Sequence, residues 1–246
     1  MTTKSRAFAL IFAGGVGRRM HTNGMPKQFL KVYGKPVIIY TLEHFQKHPD
    51  IDGIVIVCVA SHIDTLREQL TLHNISKTWE VLPGGETGQD SIFLGLRALH
   101  RLKADDGDIV LVHDGVRPVI TAPLISENIR TARKYGNAIS AAAATETISR
   151  KGDEVCTIAD VLDREDCVIA KAPQTFRLGE LLAAHERSRA EGWNRAIDSA
   201  SLMLHYGHRL HYVECSTANI KITTPYDYYI FKGILKAQES MQIIGL

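Results

Sequence analysis

The chain has 246 residues, 45% hydrophobic and 23% charged, with a formal net charge of +2. That length buries a good core in one domain, or in one domain with an appendage, and the composition is that of an ordinary globular protein. A nearly balanced charge without a long Lys/Arg run excludes nucleic acid and a polyanionic membrane surface as expected partners.

The opening Met1-Thr-Thr-Lys-Ser-Arg6 has no small-residue cleavage site, and no apolar run approaches the roughly 18 residues that cross a bilayer. A cytoplasmic location is therefore expected. Cys58, Cys156, Cys167 and Cys215 show no C-x-x-C pairing, which suits reduced thiols and neither a zinc site nor a disulfide frame. His205, His208 and His211 lack a cysteine or carboxylate at ligand spacing and read as surface residues.

Ala7 to Phe12 is an apolar run of the kind that forms a buried strand in a parallel sheet. It breaks into Ala13-Gly14-Gly15-Val16-Gly17-Arg18-Arg19-Met20, followed by Pro26-Lys27-Gln28-Phe29. Glycines let backbone N–H groups close on an oxygen-rich ligand, and phosphate is the obvious guest. Arg18, Arg19 and Lys27 supply cations that offset a triphosphate's charge. A dinucleotide fingerprint would need glycine at Met20 and an acidic end to the next strand, and a Walker A loop would need Gly-Lys-Ser/Thr; none is present.

Val37, Tyr40, Thr41, His44 and Phe45 mark a helix, Gly53 to Val59 a strand, Ile63 to His73 a helix and Trp79 to Leu82 a short strand. This alternation predicts right-handed βαβ crossovers and an α/β fold, with a mostly parallel sheet and helices on both faces. Ligands of such sheets collect at the carboxyl ends of the strands. The next loop is Gly84-Gly85-Glu86-Thr87-Gly88-Gln89-Asp90-Ser91, leading into a helix with Ile92, Leu96 and Leu99. Gly85 can pass a base closely, while Ser91 either caps the helix or bonds the ligand.

Ile109 to Val112 is a further apolar strand, ending in His113-Asp114-Gly115-Val116-Arg117-Pro118. A carboxylate at a strand tip is placed to hold Mg²⁺, so Asp114 is the candidate metal ligand; its alternative is an Asp-Gly turn. Arg117 is either a substrate-phosphate contact or a salt-bridge partner. A helix from Pro123 to Tyr135 and an Ala-rich strand from Ala138 to Ala144 follow. Residues 145–170 are too polar for central sheet, and Lys151-Gly152-Asp153 signals a hairpin. A helix over Leu178 to Glu191, an N-cap at Asp198, a strand over Arg209 to Glu214 and a last helix opening at Thr224-Pro225 complete the pattern. Lys221, in Asn219-Ile-Lys-Ile-Thr-Thr-Pro-Tyr-Asp227, is a site cation or a snorkelling surface lysine. No internal repeat or linker divides the chain, so residues 1–246 are expected to form a single domain.

Three runs, Ala13-Gly-Gly-Val-Gly-Arg-Arg-Met20, Pro26-Lys-Gln-Phe-Leu30 and Gly34-Lys-Pro-Val37, resemble the cytidylyltransferases that act on sugar-alcohol phosphates, and the likeness extends over nearly the whole chain. The resemblance implies a Rossmann-like nucleotidyltransferase fold and transfer of CMP from CTP to an alditol phosphate with Mg²⁺. It implies nucleotide contacts at Ala13, Gly14, Gly15, Gly17, Gly85, Ser91 and Gly115, with Arg19 and Lys27 as the catalytic cations. Arg117 and Lys221 would hold the alditol phosphate. Residues 145–170 would be a protruding β-arm that completes the other site of a homodimer through Thr147 and Arg164 of the partner subunit.

Two departures stand out: Gly88 replaces an arginine of the family pattern, and Ala172 replaces the threonine of Thr-Pro-Gln. Gly14-Gly15, Val116 and Thr223-Thr-Pro-Tyr-Asp227 favour the ribitol 5-phosphate members, which feed wall or capsule polymers. Asp198-Ser-Ala-Ser201 favours the 2-C-methyl-D-erythritol 4-phosphate members of isoprenoid synthesis, and the balance falls to ribitol. A catalytically idle nucleotide-binding protein on the same fold is the reading from another class, favoured by Gly88 and Ala172 and opposed by Arg19, Lys27 and Asp114.

Overall fold

A computed structural model describes residues 5–14 and 25–244, with side chains through residue 240. In chain order the elements are β1 (Ala7–Ala13), β2 (Lys31–Val32), β3 (Lys35–Pro36), α1 (Val37–Lys47), β4 (Gly53–Cys58), α2 (Ile63–Leu72), β5 (Thr78–Pro83) and α3 (Gly88–Arg101). There follow β6 (Ile109–Asp114), α4 (Ala122–Tyr135), β7 (Asn137–Ala143), β8 (Ile148–Lys151), β9 (Ile158–Leu162) and β10 (Val168–Arg177). The last are α5 (Leu178–Ala190), α6 (Ser199–His205), β11 (Tyr212–Glu214) and α7 (Pro225–Ile244).

Seven strands form one sheet in the order β11-β7-β10-β6-β1-β4-β5. All its pairings are parallel except those of β10, which runs antiparallel to both β6 and β7. The predicted α/β architecture is therefore present, with one reversed strand that the sequence pattern had not separated from the arm.

The period-2 alternation of a strand explains the two cores. Ala7, Ala9, Ile11 and Ala13 of β1 turn toward α1, α2 and α4, meeting Ile38, Leu42, Leu66 and Ile125. Phe8 and Leu10 turn the other way, toward α3, α5 and α6, meeting Leu96, Leu181 and Met203. Burial on both faces is why these strands read as unbroken apolar runs. A third cluster, Val32, Val37, Val116, Ile222 and Phe231, pins the β2–β3 hairpin and α7 to the loop after β6.

β1 lies between β4 and β6, so the connections lead from it in opposite directions across the sheet. Such a switch point opens a crevice at the carboxyl ends of the strands. The tips of β1 and β6 are in register there, Phe12 beside Asp114. From the carboxyl end of β7, before the chain returns as β10, β8 and β9 form a separate two-stranded hairpin whose side chains are nearly all exposed.

Candidate functional site

Two clefts open at that crevice and share Phe12, Gly88, Asp114 and Lys221. The first, of about 170 Å³, is lined by Ala13, Gly14, Lys27, Gly85 and Ser91 besides the shared residues. The second, of about 310 Å³, adds Gln89, Arg117, Lys171, Ala172, Gln174 and Asp198.

Each lining residue is held by its local structure. The Gln28 amide donates to the carbonyl of Ala13 at 2.5 Å, tying the Pro26–Phe29 turn to the end of β1 and delivering Lys27 to the first cleft. On the opposite wall, α3 begins at Gly88, with Thr87 as its N-cap and Asp90 completing a capping box. Ser91 is thus not the cap. Its hydroxyl donates to the Thr87 carbonyl at 3.0 Å and accepts from the Gly85 N–H at 3.2 Å, so it shapes the glycine turn and keeps no donor for a ligand. Gly85 is sterically required, since a Cβ there would lie 2.4 Å from the Asp90 Cβ, while one on Gly14 would make a tight 3.0 Å contact with the Ser91 Oγ.

Asp114 is 6% exposed and is gripped by cations. Lys221 Nζ lies 2.5 Å from one carboxylate oxygen, and Arg117 Nε donates to the other at 3.3 Å. Burial alone would push the carboxyl's pKa up, but Lys221 and then Arg117 more than offset it, so it stays below its ordinary value and ionised. Arg117 also donates to the Asn219 carbonyl at 2.7 Å, while the backbone N–H of Ile222 donates to the Val116 carbonyl at 2.9 Å. These bonds bring the 219–222 segment onto the β6 tip, where Lys221, still exposed to solvent, lines both clefts and pairs with Asp114. His113 is fully buried, and burial lowers its pKa to about 4, so the neutral ring uses Nε2–H to donate to the Arg117 carbonyl at 3.0 Å.

The expected residues therefore divide into groups. Ala13, Gly14, Lys27, Gly85, Ser91, Asp114 and Lys221 share the first cleft, and Arg117 joins Asp114 and Lys221 in the second. Gly115 lies outside both linings: its N–H donates to the Phe12 carbonyl at 3.0 Å, and a Cβ there would meet the Ala13 side chain at 2.9 Å. Thr147 and Arg164 are exposed on the arm segment and line neither cleft of their own chain. Gly15, Gly17 and Arg19 fall outside the described residues. Reading the sequence missed Asn219 and Lys171. Asn219 is 2% exposed, its amide donates to the Ala172 carbonyl at 2.7 Å, and its carbonyl receives Arg117; an asparagine carries no motif that announces this.

Chemically, the clefts combine lysine and arginine cations, a glycine-built turn and the ionised Asp114 carboxylate at the β6 tip. That set suits two phosphate-bearing ligands side by side. Among the described residues no three His, Cys, Asp or Glu side chains gather as a metal cluster, and no helix is long and apolar enough to cross a membrane.

The family model for IspD, 2-C-methyl-D-erythritol 4-phosphate cytidylyltransferase, matches residues 7–237. A ribitol-5-phosphate cytidylyltransferase of Vibrio parahaemolyticus is 47% identical over 96% of this chain and 99% of its own length. A 2-C-methyl-D-erythritol 4-phosphate cytidylyltransferase of Clostridium botulinum is 35% identical over 94% of this chain and 98% of its own. Among solved structures, 4-diphosphocytidyl-2C-methyl-D-erythritol synthase of Anaerococcus prevotii superposes with a TM-score of 0.81 at 25% identity, covering 94% of this chain and 96% of that one. With the seven-stranded sheet, the crevice at its switch point and a match over almost the full length, the chain belongs to the IspD family of cytidylyltransferases.

Proposed function

We propose that the protein transfers CMP from CTP to D-ribitol 5-phosphate, forming CDP-ribitol and pyrophosphate. A phosphate oxygen of the alditol phosphate attacks the α-phosphorus of CTP. The bond from that phosphorus to the bridging oxygen of the β-phosphate breaks, and pyrophosphate leaves with the electron pair. The attacking phosphate is already ionised near neutral pH, so the protein's task is to align two mutually repelling anions and stabilise the charge that develops. Lys27 and Arg19 are assigned to the α-phosphate, Ala13, Gly14, Gly15, Gly17 and Gly85 to the nucleotide, and Arg117 and Lys221 to the acceptor. The observation that carries this reading is that Lys27, Asp114 and Lys221 line one cleft with the glycine turns.

Mg²⁺ would be held by Asp114, a hard, ionised oxygen donor at the strand tip, in exchange for that carboxylate's present contacts with Lys221 and Arg117; the ion keeps several waters and needs only one or two carboxylates when substrate phosphates supply the rest. When bound it neutralises phosphate charge. We assign the protein to the cytoplasm, the site of CTP supply, and to a homodimer whose arm, residues 145–170, reaches the other subunit's cleft. The arm's exposed Val155, Ile158 and Val161 support that assembly, because apolar side chains of a hairpin seek cover.

Incubation with CTP, Mg²⁺ and either ribitol 5-phosphate or methylerythritol 4-phosphate, following pyrophosphate, tests the reading. Faster release with ribitol 5-phosphate is expected. Preference for methylerythritol 4-phosphate would transfer the protein to the alternative acceptor, and no release with either would identify an idle binder.

A further inference from the structure

β10 pairs with β7 through Val168–Ala170 and again from Gln174, and with β6 only from Gln174 onward. The break frees Lys171–Pro173 from both ladders, and Lys171 lines the second cleft beside Arg117 and Lys221. Its Nζ donates to the carbonyls of Thr217 and Asn219 at 3.2 and 3.3 Å, and Arg117 shares the latter carbonyl. Carbonyls solvate an ammonium without neutralising it. Among the described residues Lys171 forms no ion pair, and both carboxylates of the cleft are committed. Asp114 holds Lys221 and Arg117, while Asp198 accepts from the Gln174 amide at 2.7 Å and from the Ser201 N–H at 2.8 Å. Burial, followed by the nearby Arg117 charge, lowers the Lys171 pKa, which marks a half-buried cation short of negative charge.

Resting on the function proposed above, we infer that Lys171 is a binding residue for the phosphate group of the acceptor, working with Arg117 as a second cation of the second cleft. A phosphate monoester carries close to two negative charges, which suits a planar guanidinium beside a compact ammonium. This role selects for a phosphorylated polyol over the free polyol. It also supplies affinity where Ala172 has no hydroxyl to offer.

Lys171→Met retains the stem and removes the charge; Lys171→Arg restores it. In the full chain, calorimetric titration with ribitol 5-phosphate and with ribitol is paired with steady-state kinetics and urea unfolding. Lys171→Met is expected to weaken ribitol 5-phosphate about tenfold or more and to raise its KM to match. The KM for CTP should stay within about twofold and the urea midpoint should not move, with Lys171→Arg recovering most of the loss. Unchanged ribitol 5-phosphate affinity in Lys171→Met overturns the inference. So does a lowered urea midpoint with both KM values raised together, the signature of a tie to residues 217–219 and nothing more. If the wild type releases no pyrophosphate with either alditol phosphate, the proposed function fails by itself. The titration still decides Lys171: phosphate-dependent binding lost in Lys171→Met sustains the inference, and no binding to the wild type overturns it.

Discussion

Lys27 and Asp114 lie far apart in sequence yet line one cleft, so the chemistry proposed there rests on side chains that different elements hold in place. Replacing Lys27 by Ala should lower kcat about a hundredfold or more, the usual cost of removing one preorganised transition-state charge partner. Full turnover in that variant, measured by pyrophosphate release, would remove Lys27 from the reaction. Two glycines of one loop should respond with opposite signs. Gly85→Ala forces a Cβ to within 2.4 Å of the Asp90 Cβ, straining the capping box of α3. It should cost about 1–3 kcal/mol in urea unfolding and weaken CTP in a calorimetric titration. Gly88→Ala meets nothing within 4 Å and should stabilise by about 0.5 kcal/mol through the unfolded chain. The glycine runs were legible as tight turns, because only glycine permits such close approach. Which glycine is sterically required was not, since that depends on Asp90 and Ser91 folding back over the turn.

At the scale of elements, α5 packs on α3 in part through His185, which is 4% exposed and stacks on Phe93 with ring centroids 6.0 Å apart. Burial, then the Arg189 charge, lowers its pKa to about 4 from the ordinary 6.5. The unfolded chain therefore takes up a proton first as pH falls. The stability tied to His185 is complete above about pH 6.5 and is lost progressively toward pH 4. Between pH 7 and pH 5 this group should remove about 2 kcal/mol, and His185→Leu should flatten the pH dependence of the unfolding free energy measured in urea by that amount. An unaltered slope would show that the ring does not stay neutral in the fold.

β10 is the element that sequence reading did not separate. A lysine and a proline in its middle argue against a central strand, because proline cannot donate to a ladder. Pro173 is accommodated because the register breaks between Ala170 and Gln174, where no ladder bond is asked of it. The same break brings Lys171 to the cleft. A local pattern cannot announce such a break, which depends on how β6 and β7 receive the strand.

For the whole molecule, the assignment of the arm predicts shared sites. Lys27→Ala and Arg164→Ala subunits, each nearly inactive alone, should recover about a quarter of wild-type turnover when mixed and allowed to exchange. Random pairing makes half the dimers mixed, with one intact site in two. No recovery, with exchange verified by size-exclusion of differently tagged subunits, would place Arg164 outside the site or the site within one subunit.

The sequence by itself determined the α/β class, the order of most elements and the family. These rest on local periodicity, on backbone freedom at glycine and on motif spacing, all written along the chain. Only the tertiary structure decided that Ser91 shapes a turn and does not cap a helix, that Asp114 is gripped by Lys221 and Arg117, that Lys171 lines the second cleft, and that Asn219 braces Arg117 beside it. Each of these depends on groups remote in sequence meeting at the switch point of a sheet. Their partners, burial and charge come into being only when the strands are laid side by side.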